Sequence, residues 1–150
     1  MSFYMVDSQA PHGDIHYHVL RLAEKIYQRK QRATLVFPTE EEEKACDDKL
    51  WTYKQLSFIP HGCAVTDNDP EEHPLWLSTH VKNLNSSDTI IFIDRPPVTL
   101  KNLEFSTVVG IFPLEKKADF LPLFQEYSHL PCAFWMYTDT GWQKGDSFSL

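Results

Sequence analysis

Short unbroken apolar runs alternate along this chain with stretches in which apolar residues recur at helical spacing, and that alternation sets the predicted order of elements. Residues 3–6 make a first short strand, followed by a polar loop over 7–13 that holds a proline and a glycine. Ile15, Val19, Leu22, Ala23 and Ile26 fall on one side of a helix, with Arg21, Glu24, Lys25, Arg29 and Lys30 mostly on the other. This predicts an amphipathic helix from residue 15 to about residue 30. Asp14 stands before it as an N-cap, and its Lys/Arg-rich end suits the negative pole of the helix dipole. Residues 33–37 are continuously apolar and partly β-branched, the pattern of a parallel strand buried on both faces, and Pro38 stops them. Thr39 with Glu42 forms a capping box, and the glutamates at 40–43 favour the positive end of a second helix reaching about Trp51.

Further on, residues 65–74 are polar and acidic with two prolines, a surface loop. Strands are predicted over 75–78, 89–93, 107–112 and 132–137, with a turn-like cluster over 83–88 and an ambiguous stretch over 98–105. Residues 115–129 are predicted to be helical, with Pro122 either opening a second segment or kinking the first. From Thr138 to the last residue, 138–150 reads as a loose polar tail. Strand, helix, strand, helix is the opening of an α/β fold, in which right-handed crossovers place helices on both faces of a mostly parallel sheet. The expectation is one three-layer domain over residues 1–150, Rossmann-like in outline.

Composition narrows what such a domain can do. A chain of 150 residues is the size of one domain with one core, and with 42% hydrophobic residues it is globular. No apolar run approaches the length needed to cross a bilayer, and the start MSFYMVDSQ lacks the basic and apolar regions of a secretory signal, so a cytoplasmic protein is expected. Cys46, Cys63 and Cys132 are too few and too scattered for a disulfide framework, which makes reduced, packed thiols the expectation. The formal net charge of −7 argues against binding nucleic acid by neutralising its phosphates; if the protein works at DNA, another protein takes it there.

Candidate chemistry is sparse. The loop after the first strand holds one glycine, and neither GxGxxG nor GxxxxGK[ST] occurs, so a phosphate cradle is missing and no cofactor is expected. His12, His16 and His18 form the densest histidine cluster, but only Asp14 stands near as a further ligand. Exposed histidines at a helix start are the simpler reading, and no metal site is assigned. His61-Gly62-Cys63 has the residue types of a Cys/His nucleophile, yet no third orienting group can be named beside it, and a packed thiol with a structural histidine fits better. Asp94 and Arg95 follow a predicted strand, where α/β active sites often lie, and a local ion pair explains them equally well. A small α/β enzyme or nucleotide-binding regulator with its site near Asp94 and Arg95 is the alternative reading. The glutamate run at 40–43 reads as a solvated helix start.

The stretch LWTYKQLSFIPHGCA, residues 50–64, is different: it leaves a helix, carries Trp51, Tyr53 and Phe58 with almost no charge, and must bury its rings somewhere. The pattern Leu50-Trp51, spacer, Ser57-Phe58-x-Pro60-His61-x-x-Ala64 resembles that of the chi subunit family of bacterial DNA polymerase III, clamp-loader accessory proteins. The order of the segments over roughly residues 3–64 agrees with that family. The resemblance implies a non-catalytic adaptor without cofactor. It implies that Leu50, Trp51, Phe58, Pro60 and His61 meet the small psi subunit of the clamp loader, where aromatic anchors carry much of an interface's affinity. It further implies capture of the acidic, Phe-terminated tail of single-stranded-DNA-binding protein, here through Phe112, Pro113, Lys116 and Lys117. The family draws the basic groups for that tail largely from its last helix, whereas residues 118–127 here contain neither Lys nor Arg, a departure that puts tail capture in doubt.

Overall fold

The computed structural model describes residues 1–52, 59–97 and 105–145. The chain forms β1 (Ser2–Val6), α1 (Ile15–Gln28), β2 (Ala33–Val36), α2 (Glu40–Thr52), β3 (Gly62–Cys63), β4 (Leu75–Ser78), β5 (Thr89–Ile93), β6 (Thr107–Pro113), α3 (Lys117–Glu126), β7 (Ala133–Thr138) and β8 (Gly141–Gly145). One sheet holds every strand among the described residues, in the order β3-β4-β2-β5-β6-β1-β7-β8. All neighbours are parallel except the β7–β8 hairpin. This is the α/β class that the sequence pattern predicts, with a mostly parallel sheet between helical layers.

The helices begin where their caps predict. Asp14 accepts the His16 backbone N–H at 3.0 Å, and the Thr39 hydroxyl accepts that of Glu42 at 3.1 Å. Ile15, Val19, Ala23 and Ile26 of α1 bury against Val6, Ile91, Ile93, Val109 and Ile111, so α1 and α2 cover one sheet face with a largely aliphatic core. The opposite face is aromatic. Phe3, Phe112 and Phe134 point there, and α3 brings Phe120 and Leu123 onto them, with Phe112 and Phe120 stacked at 4.0 Å between ring centroids. Gly110 makes that stack possible, since a Cβ at this position would lie 2.9 Å from the Phe120 ring.

The turn-like cluster at 83–88 is a structural knot rather than a plain loop. The Asn85 amide donates to the carbonyls of Ala33, His73 and Pro74, and Thr34 and Ser87 donate to its side-chain oxygen. Two expectations are corrected. Helix α3 continues through Pro122, which is exposed, so the proline does not open a second segment. The C-terminal stretch is not a loose tail over 141–145, because it turns at Gly141 (φ 92°) and pairs antiparallel with β7. The ambiguous stretch lies outside the described residues over 98–104.

Candidate functional site

The inner stripe of α2 consists of Glu43, Cys46, Asp47 and Leu50, spaced to share one face, and two of those buried positions are carboxylates. Carboxylates do not enter a core without partners. The segment entering β3 supplies them. His61 places Nε2 2.8 Å from Asp47 Oδ1 and Nδ1 2.8 Å from the Ile59 carbonyl, with the ring buried. The second Asp47 oxygen accepts from Lys44 Nζ at 2.9 Å. One turn earlier, Glu43 Oε2 accepts from Cys63 Sγ and from the Val65 backbone N–H, both at 2.9 Å. Gly62 lets this strand lie flat against its neighbour, as a Cβ there would sit 2.4 Å from the His73 ring and 2.7 Å from that of Trp76.

Above this buried polar layer stands Trp51. Its ring centroid is 4.8 Å from that of His61, and 53% of the residue is exposed, the largest such value among the described large apolar side chains. A large indole thus stands open to solvent on a hydrogen-bonded polar support. Leu50, next in sequence, is sealed in the aliphatic core, and His61 is buried as well, so neither of these two expected contact residues presents a surface to solvent. Pro60 is half-buried at the rim. Phe58 lies outside the described residues.

This layer offers no nucleophile. Burial, followed by the hydrogen bond to Glu43, pushes the Cys63 thiol up to about 12, and burial followed by the charge of Asp47 does the same for Cys46. Both stay protonated at neutral pH. Both ring nitrogens of His61 face Asp47 and Ile59, so the histidine is not directed at Cys63. Asp47 is the orienting group that the sequence left unnamed. The reading of Glu43 as part of a solvated helix start is corrected: it is buried and tied to β3. The signal that could have found it is its i, i+3, i+4 relation to Cys46 and Asp47, with Leu50 completing the stripe.

On the opposite face of the sheet, Phe112 is sealed between Phe120 and Phe3, with no surface to offer a ligand directly. Pro113 and Lys117 are half-buried, and Lys116 Nζ is 2.7 Å from Asp94 Oδ2. Asp94, in a left-handed conformation (φ 68°), therefore pairs with Lys116 and not with the neighbouring exposed Arg95. The histidine cluster also divides. His12 is exposed and stacks on Tyr17 at 4.4 Å, while His18 is buried against Tyr137 and Trp142 with Nε2 2.8 Å from the His12 carbonyl, correcting its reading as a solvent group. Asp67, Asp69 and His73 place ligand atoms within 4.8 Å of one another. Asp67 already accepts the Cys63 backbone N–H and Asp69 already meets His73, so their geometry is explained within the fold.

Among the described residues no helix is long and apolar enough to cross a membrane. Residues 1–129 match the family model described as DNA polymerase III chi subunit, HolC, and the chain belongs to that family. No curated protein matches the chain.

Proposed function

We propose, with membership of the DNA polymerase III chi subunit family as the premise, that this protein is a non-catalytic adaptor whose Trp51 corner docks a psi-like subunit of the clamp loader. The observation that carries the reading is the exposure of Trp51 on its buried His61–Asp47 support. His61 meets the ring from below, Leu50 anchors this end of α2 in the core, Pro60 and Phe58 extend the contact, and the partner covers the indole. Tethering of this kind raises the effective concentration of the clamp loader at its template and requires no reaction by the adaptor itself. The protein works in the cytoplasm and reaches DNA through its partners.

Capture of the acidic tail of single-stranded-DNA-binding protein at Phe112, Pro113, Lys116 and Lys117 is weak in this reading. Lys116 is engaged by Asp94, Phe112 is covered, and α3 carries no Lys or Arg after Lys117. The experiment is titration by calorimetry with psi and, separately, with an acidic peptide ending in Pro-Phe. Trp51→Ala is expected to weaken psi at least roughly tenfold, as loss of an interface anchor does, and to leave the peptide arm unchanged. Undiminished psi binding by that variant would overturn the proposal.

A further inference from the structure

The two edges of the sheet are finished differently. At one, β3 is two residues long and is closed by the turn that follows it: the Cys63 backbone N–H donates to Asp67 Oδ2 at 2.8 Å, and the Cys63 carbonyl accepts the N–H groups of Thr66 and Asp67. At the other, β8 is five residues long and, among the described residues, pairs with β7 alone. A strand at an edge directs a row of backbone donors and acceptors away from its sheet, a template for a further strand. Trp142, Gln143 and Lys144, the middle of β8, are all exposed.

The residues of this edge select the strand that fits it. Side chains two apart in a strand project to one face, so Trp142 and Lys144 share the face of α1, where Trp142 meets His18 at 5.2 Å between ring centroids. Gln143 projects to the other face. Two copies of β8 laid antiparallel, with Gln143 against its own copy, set Trp142 opposite Lys144 of the other strand twice, and Gly141 opposite Gly145. Every residue of β8 is then paired. Each residue meets one an even number of positions away, so the outward backbone groups of one strand face outward groups of the other. An edge lysine ordinarily discourages pairing by its charge, but in this register it lies beside an indole, a favourable cross-strand pair. Centring on Lys144 opposes like charges, and centring on Trp142 loses the pair of ring and cation. Gly-Trp-Gln-Lys-Gly is thus self-complementary about its middle residue, as a twofold-symmetric contact requires.

We propose that β8 is the contact between two copies of this chain, which join their sheets into one across a twofold axis at Gln143. The Trp51 corner stands beside the segment that enters β3, at the far edge of each sheet, so both corners stay open in the pair. The contact does not rest on the function proposed above. Each copy carries a net −7, so the association is weak and is strengthened by salt that screens this repulsion.

The test is sedimentation equilibrium of the whole chain over a concentration series, at low and at moderate salt. A mass rising from one chain to two is expected. Lys144→Gln should weaken the association roughly tenfold, as loss of two exposed cation–π contacts predicts, and Lys144→Arg should retain it. The register is read by cross-linking in a Cys132→Ser background, since Cys46 and Cys63 are buried. Gln143→Cys lies on the axis and should oxidise to a covalent dimer, whereas Lys144→Cys stands opposite a ring and should not. Trp51→Ala should leave the mass series unchanged, with melting curves confirming that each variant is folded. Three outcomes overturn the proposal: the mass of one chain at every concentration, even where an acidic peptide takes up this edge instead; association indifferent to Lys144→Gln; or Lys144→Cys cross-linking as readily as Gln143→Cys.

Discussion

The two faces of the sheet treat their aromatic residues in opposite ways. On the α3 face, Phe3, Phe112, Phe120 and Phe134 close on one another, and what charge lies nearby is paired off between Lys116 and Asp94. On the α2 face, Asp47, His61, Glu43 and Cys63 occupy buried positions, and the ring above them is left outside. An all-apolar core draws rings inward because nothing else satisfies the space. A hydrogen-bonded polar layer fills that space itself and presents a ring to solvent without loosening the fold.

The contrast can be broken from either side. The largest effect is expected at Phe120→Ala, which empties the place stacked on Phe112; removal of a buried Phe costs about 3–5 kcal/mol, read as a lower midpoint in urea. Asp47→Ala should follow at roughly 3 kcal/mol, since it leaves His61 and Lys44 without their shared carboxylate. Unlike Phe120→Ala, it should also weaken psi binding, because the support beneath Trp51 is lost. Equal loss of psi binding in the two variants would mean that the polar layer has no special part in holding that ring.

Smaller effects sharpen the comparison. With a thiol reagent at pH 8, the half-exposed Cys132 should react first, while Cys46 and Cys63, both pushed up to about 12, should wait for unfolding. Rapid labelling of Cys63 in the native protein would contradict the closed Glu43–Cys63 contact. The smallest effect concerns His18, whose pKa burial lowers, partly offset by its hydrogen bond to the His12 carbonyl. A depressed histidine pKa means that the unfolded chain binds the proton more readily. The stabilising contribution is therefore complete above the unfolded value of about 6.5 and falls away as the pH drops below it. The melting temperature of the protein should fall more between pH 7.5 and 5.5 than that of His18→Gln, and identical shifts would remove His18 from the account.

Most of the fold is legible in the residue pattern because burial imposes a period. The continuous apolar runs at 33–37, 89–93 and 107–112 could be satisfied only inside a sheet covered on both faces, and Asp14 and Thr39 mark the helix starts by local hydrogen bonds alone. The hairpin at Gly141 is not legible in the sequence because polar Gln143 and Lys144 carry little of that period at a sheet edge. The site was legible only in its outer member. Trp51 announces itself as a large ring leaving a helix, whereas Asp47 and Glu43 look like any acidic helix surface until the strand that meets them is in place.

The sequence by itself determined the element order, the helix caps, the α/β class and the kinship of the Leu50 to Ala64 stretch. Only the tertiary structure decided which charges are buried, that Asp47 faces His61, that Asp94 faces Lys116, and that Phe112 is closed while Trp51 is open. The reason is one of range. Caps and periodicity are settled within a turn or two of chain, but the environment of a carboxylate or a ring is set by segments distant in sequence, whose approach no local pattern encodes.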